Sequence, residues 1–228
     1  MKKSSLVLSL LLVQLSYGQI KKGALLLGPT LGFWHNKVTN TSDQSPDISS
    51  TNRTTSFNGT LRAGYFVTDK IALGIIGAYT GNKMTSTAKN PNLLVGTGVS
   101  NLNIAAFGVF ARSYKLFNEN KFAFFGELKG LYEIGNSKTV NKTQQVGFPL
   151  MSNETSSEIV GLELGLSPGF VYFITKRTGL EASFGSIAFK TRTSQFYYKG
   201  EKTTEINDTS FNIAFNMFSL GVIFYVSK

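Results

Sequence analysis

The chain of 228 residues contains no cysteine, one histidine, one tryptophan and five prolines, and only 16% of its residues are charged. Without cysteine it cannot be a disulfide-stapled secreted module, and it offers no thiol for lipid attachment. With histidine reduced to His35, the common transition-metal ligand sets are excluded, and Asp43 and Asp47 lack the spacing of a calcium loop. The glycines form no phosphate-binding fingerprint. No cofactor or metal is therefore expected. Soluble domains usually carry about a quarter charged residues, so a chain this lean in charge has a surface covered in part by something other than water. No internal run approaches the roughly 18 apolar residues of a membrane-spanning helix. If the chain crosses a bilayer, it does so with strands, and then only as a closed barrel.

What is present begins at the N-terminus. Lys2 and Lys3, the apolar run Leu6 to Leu15 and the small-x-small step Ser16-Tyr17-Gly18 have the order of a cleaved export signal. Residues 1–18 read as a removed signal peptide and 19–228 as one β-barrel domain, a size that all-β domains reach without dividing. The formal charge of +10 falls to +8 without the two signal lysines. The cations Lys70, Lys115, Lys121, Lys176, Arg177, Lys199 and Lys202 are scattered over turns and loops rather than gathered in a stripe. Nucleic acid is thus not an expected partner, and solvated ends beside anionic lipid headgroups account for the charge.

Along the mature chain, hydrophobicity recurs with period two, the signature of strands. Val160, Leu162, Leu164, Leu166, Pro168, Phe170 and Tyr172 alternate with Gly161, Glu163, Gly165, Ser167 and Gly169. Leu25, Leu27, Leu31 and Phe33 oppose Ala24, Gly28, Thr30 and Gly32; Phe57, Leu61, Ala63, Tyr65 and Val67 oppose Ser56, Asn58, Thr60, Arg62 and Gly64. Phe122, Phe124, Leu128 and Tyr132 oppose Ala123, Glu127, Lys129 and Glu133, which puts three charges on one face, and that face cannot be the lipid one.

Eight such segments are expected, at roughly 22–35, 54–67, 70–81, 99–115, 121–134, 158–174, 178–191 and 209–226. Tight turns join them at Thr68-Asp69-Lys70, Leu116 to Asn120 and Thr175-Lys176-Arg177, while the other four connections are long, polar loops. This alternation fits an eight-stranded antiparallel up-and-down transmembrane β-barrel with short periplasmic turns, long extracellular loops and both termini periplasmic. Two strands break phase. The last needs a β-bulge near Met217, and the fourth is ambiguous between Ala106 and Arg112. Tyr65, Tyr114, Tyr172 and Phe224 lie near the short-turn ends, where aromatic rings would form a girdle at headgroup level.

The stretches Gly64-Tyr65-Phe66-Val67-Thr68-Asp69-Lys70-Ile71-Ala72-Leu73-Gly74 and Gly179-Leu180-Glu181-Ala182-Ser183-Phe184-Gly185 resemble the strand-turn-strand units of small outer-membrane β-barrel proteins related to the barrel domain of outer membrane protein A. The resemblance spans essentially the whole mature chain and implies a Gram-negative outer-membrane location. It departs at the C-terminus, where Val226-Ser227-Lys228 follow the aromatic pair Phe224-Tyr225, although such barrels often finish on an aromatic residue.

Some small outer-membrane barrels modify lipid with a histidine and a serine. His35, beside Trp34, has only unselected loop serines as candidate partners, so no catalytic residue is assigned. The inward charges Arg62, Glu127, Lys129, Glu163 and Glu181 are expected to pair with one another, because the interior of an eight-stranded barrel is only wide enough for its own side chains. Recognition, if any, falls to the loops, above all Gln195 to Lys202 with Phe196, Tyr197, Tyr198, Lys199 and Lys202. The Asn-x-Thr triplets at Asn141 and Asn153 carry no such meaning. The expected function is that of a non-enzymatic outer-membrane barrel with a side-chain-filled lumen. It would contribute to envelope structure or surface interaction, with outer-membrane lipid and lipopolysaccharide, and an extracellular or envelope protein, as partners. The alternatives are a lipid-modifying enzyme, an accessory barrel of a protein-secretion machine, and a soluble ligand carrier.

Overall fold

The computed structural model describes residues 20–42, 45–90, 94–117, 121–145, 149–198 and 200–226; residues 1–18, read from the sequence as a signal peptide, lie outside them. Eight strands run in chain order: β1 (Leu25–Ser42), β2 (Ser45–Phe66), β3 (Ile71–Asn90), β4 (Leu94–Phe117), β5 (Phe122–Gln145), β6 (Met151–Phe173), β7 (Thr178–Tyr198) and β8 (Glu201–Val226). Each pairs antiparallel with its sequence neighbour, and β1 closes on β8, giving the eight-stranded up-and-down barrel.

The period-two pattern produces an inverted distribution of polarity. On β6 the side chains of Leu162 and Leu164 are each 56% exposed, while Glu163 between them is 7% exposed. Leucine on the outside and glutamate on the inside is the reverse of a soluble sandwich, in which the two inner faces form the apolar core. The same inversion holds on β1, β2 and β5, where Leu31, Leu61 and Leu128 face out while Thr30, Arg62 and Glu127 face in.

Most of the described residues in the four long connections are strand, not loop. The strands continue past the expected boundaries as paired hairpins, with ladders reaching Thr41↔Ser49, Asn90↔Leu94, Thr143↔Met151 and Tyr198↔Glu201. These stretches are mostly polar and spread their few apolar residues over both faces, so no alternation announces them. Their β-branched threonines and the pairing already established below carry the ladder upward.

At the other end the described turns are tight. In two of them a threonine does the same work: Thr68 Oγ1 accepts the backbone N–H groups of Lys70 (3.2 Å) and Ile71 (3.0 Å), and Thr175 Oγ1 those of Arg177 (3.1 Å) and Thr178 (3.0 Å). The segment before β1 is tied to one of these turns, since the Lys22 backbone N–H donates to Asp69 Oδ1 at 2.8 Å.

The apolar core sits inside the barrel at this short-turn end. Ile20, Leu26, Phe66, Phe110, Tyr114, Phe125, Phe173, Ile223 and Tyr225 are all buried there, with tilted ring pairs at 5.4–6.0 Å between centroids. Tyr114 is therefore a plug residue and not part of the outer girdle, whereas Tyr65, Tyr172 and Phe224 do face outward. Room for Phe110 comes from glycine: Gly64 pairs with Gly74, Gly74 with Phe110, and a Cβ on either glycine would fall within 2.9 Å of the ring.

The bulge expected near Met217 is present. β7 and β8 are in register up to Phe184↔Phe218 and again from Ser186↔Ala214, so Gly185 alone stands opposite residues 215–217. Gly185 has a φ of 72°, a left-handed conformation that side chains disfavour. Both strands switch parity here, Leu180 and Phe184 facing out below the bulge, Ile187 and Phe189 above it. The β1–β8 seam is short. It pairs at Leu25 to Leu27 and at Thr30 and Leu31, and no ladder pair joins the two strands beyond Leu31↔Leu220 among the described residues.

Candidate functional site: the charged lumen and the hairpin rim

Above the aromatic plug, β2, β4, β5 and β7 each direct one charge to the barrel axis. Arg112 is central and fully buried. Its Nε donates to Glu127 Oε2 at 2.9 Å, its Nη2 to the same oxygen at 2.5 Å, and its Nη1 to Glu181 Oε2 at 2.5 Å and to Tyr114 Oη at 3.2 Å. The guanidinium lies 4.0 Å from the centre of the Phe125 ring. Arg62 completes the layer, donating from Nε to Glu127 Oε1 at 3.2 Å and from Nη1 to Thr30 Oγ1 at 3.0 Å. Two guanidinium groups thus face two carboxylates, and the forked donors of arginine suit such bidentate pairing.

A second layer lies further up. Glu163 binds Lys129 at 2.9 Å and Lys190 at 2.5 Å, and Glu133 binds Arg192 at 2.6 Å and Lys190 at 3.7 Å. This layer is more open, with the side chains of Lys129, Lys190 and Arg192 between 21% and 28% exposed. The five charges read from the sequence as inward, Arg62, Glu127, Lys129, Glu163 and Glu181, are all brought to the lumen in ion pairs.

Three partners escaped that reading. Arg112 falls in the stretch of β4 whose parity is ambiguous from the sequence. Lys190 and Arg192 lie beyond Gly185, where the unrecognised switch in β7 reverses inside and outside.

His35 does not reach the lumen. It is exposed on the outer side of β1 in the row above Phe33, and its Nδ1 hydrogen-bonds Thr55 Oγ1 at 2.9 Å across the β1–β2 pair. Among the described residues no hydrogen bond or ion pair joins it to a carboxylate or a serine, and no group of three His, Cys, Asp or Glu could hold a metal ion. Asp43 lies outside the described residues, as does Lys199.

The hairpin favoured for recognition, Gln195 to Lys202, is the β7–β8 tip, and most of its polar groups are engaged. Tyr197 Oη lies 3.3 Å from Glu158 Oε2 and 3.2 Å from Gln195 Oε1, and Lys202 Nζ lies 2.7 Å from Glu205 Oε2. That hydrogen bond holds the Glu205 carboxyl below its ordinary value and the Lys202 ammonium above its own. Beside it is a cleft of about 360 Å³ lined by Ser152, Asn153, Glu154, Ser156, Tyr197, Tyr198 and Gly200.

No family model matches the chain, and no curated protein does either. Among solved structures it is similar to the outer membrane protein OprG from Pseudomonas aeruginosa, at 11% identity over 93% of this chain and 100% of that one, with a TM-score of 0.45. It is similar to the ferric yersiniabactin uptake receptor from Yersinia pestis at 14% identity and a TM-score of 0.40, covering 87% of this chain but spanning only 32% of the receptor. The translocator domain of the autotransporter NalP from Neisseria meningitidis aligns over 89% of this chain and 88% of its own, at 11% identity and a TM-score of 0.35. At such identities and TM-scores, none of the three bears on what this chain does.

Proposed function

We propose that the chain is an integral β-barrel of a Gram-negative outer membrane, non-enzymatic and non-conducting, that contributes to envelope structure and presents its long hairpins at the cell surface. The observation that carries this is the outward apolar band. On β5 it runs from Phe122 to Ile134 and on β6 from Tyr172 to Val160, all of these end residues exposed. About 12 residue steps of ~3.3 Å on strands tilted by ~40–45° project to roughly 28–30 Å, close to the height of a bilayer's hydrocarbon core. Rings at Tyr65, Tyr172 and Phe224 edge the band at the short-turn end. In barrels of this kind the short turns are periplasmic and the long hairpins extracellular, which would put both chain ends in the periplasm.

The lumen supports a closed barrel. The aromatic plug and the Arg112 layer fill the interior at one end, and an eight-stranded barrel leaves no space around such groups for an aqueous path. The ordinary pairing of His35 with Thr55 gives no nucleophile or base geometry on which to build a lipid-modifying step. The purified protein in planar bilayers, folded as judged by a shift in gel migration on boiling, should show negligible single-channel conductance. A steady large conductance would refute the closed lumen, and solubility of the mature protein without detergent would refute the membrane assignment itself.

A further inference from the structure

Directly above the exposed rings of Phe33 and Phe57, the outer wall of β1, β2 and β3 carries two adjacent rows of polar residues. His35, Thr55 and Lys83 align in the first, and Lys37, Arg53 and Thr85 in the second. Lys37, Arg53 and Lys83 are all exposed. Lys37 and Arg53 are direct cross-strand partners, a relation that places Cβ atoms about 4.5–5.5 Å apart, and Lys83 is on the diagonal to Arg53, about 7–8 Å away. Like charges placed directly opposite one another destabilise a sheet. The arrangement is unfavourable unless an anion lies against it.

Among the residues whose side chains are described, none of the three cations forms an ion pair with a carboxylate. The opposite side of the same rim behaves otherwise. Lys138 is paired with Glu154 at 2.6 Å and Lys202 with Glu205 at 2.7 Å. Among the residues whose side chains are described, Lys138 on β5 and Lys202 on β8 are neutralised within the rim, and Lys37, Arg53 and Lys83 on β1 to β3 are not.

We propose that Lys37, Arg53 and Lys83 bind the phosphate groups of an outer-leaflet glycolipid, a phosphorylated lipid A. The proposal rests on the outer-membrane reading above and adds a site and a ligand chemistry to it. Depth supports the glycolipid as occupant. The cations stand one and two rows beyond the last apolar positions, where hydrocarbon gives way to headgroups, and Leu31, Phe33, Phe57 and Leu61 below them offer 44–69% exposed apolar surface for acyl chains. The Arg53 fork can hold two phosphate oxygens while the lysines act as point charges, and the bound phosphate relieves the Lys37–Arg53 repulsion.

The test is titration of the full mature protein in detergent with bisphosphorylated lipid A, read by native mass spectrometry, beside dephosphorylated lipid A and inorganic phosphate. Replacing all three cations, as Lys37→Gln with Arg53→Gln and Lys83→Gln, should weaken binding on the order of a hundred-fold, since each basic residue at an anionic lipid surface contributes a factor of about five. Loss of the phosphates from the lipid should weaken binding to the unaltered protein similarly. Lys138→Gln with Lys142→Gln should leave it unchanged. Equal binding of both lipids, or undiminished binding by the triple variant, overturns the proposal. So does displacement of the lipid by an equal concentration of inorganic phosphate, which would mark a site for free anions. Should the triple variant fail to fold, Arg53→Gln alone is expected to lose about five-fold, and no loss overturns the proposal. A wild-type protein that stays in the outer membrane yet ignores the phosphates sinks this site alone; one that is soluble without detergent sinks the membrane reading.

Discussion

Arg112 is fully buried, its side chain 0% exposed. Its guanidinium meets Glu127, Glu181, Tyr114 and the face of Phe125 with no access to water. Arg112→Met would leave two buried carboxylates to share Arg62, whose contact with Glu181 is long at 3.8 Å. Removing one partner of a buried ionic cluster typically costs about 3–5 kcal/mol, so the variant refolded into vesicles should unfold at a clearly lower urea concentration. Adding Glu127→Gln and Glu181→Gln to it should recover part of that loss, because the orphaned charges are then gone. Glu127 and Glu181 were legible as inward from simple alternation with Phe124, Leu128 and Leu180. Arg112 was not, since Ala105, Ala106 and Gly108 give its strand no contrast between faces. Tyr114 misled for a related reason: an aromatic near a strand end is equally suited to a headgroup collar and to a plug, and only the parity of β4 separates the two.

Among the elements, β7 and β8 depart furthest from a regular ladder. The one-against-three bulge at Gly185 lets Glu181 below and Lys190 above both point into the lumen from β7, although one position is odd and the other even. Gly185→Ala puts a Cβ on a residue at φ 72°, at a cost of about 1–2 kcal/mol. The expected result is a matching fall in unfolding free energy with the folded gel band retained. On β8 the bulge was visible in the sequence, because Phe211, Ile213 and Phe215 switch to Phe218, Leu220 and Val222 within a few residues. On β7 it was hidden, since Ser183, Gly185, Ser186 and Ala188 are small and polarity changes little with the switch. The long hairpins were illegible for a third reason: outside any apolar medium both faces of a strand are wet, so the period-two signal that identifies strands disappears while the pairing does not.

For the molecule as a whole, the outer surface carries a broad apolar band. Leu164 lies midway along the outward band of β6, 56% exposed and flanked by Leu162 and Leu166. Leu164→Arg should cost about 2–4 kcal/mol in a bilayer, whereas Thr193→Arg, at the upper margin of the band opposite Val160, should cost about 1 kcal/mol or less. Reversible unfolding from lipid vesicles distinguishes them, and equal effects would argue that the band does not meet hydrocarbon.

The cylinder is also unequal around its circumference. Every other junction between neighbours joins strands adjacent in sequence and can zip from a turn, but the meeting of Leu25 with Val226 links the two ends of the folded domain. Such a contact must be reached across the whole intervening chain before any bond rewards it, which makes it entropically the hardest to form. It is also among the least rewarded, because so few rungs bind it. If the chain enters a membrane as proposed, this seam predicts assembly through a curled, open sheet whose two free margins find one another last.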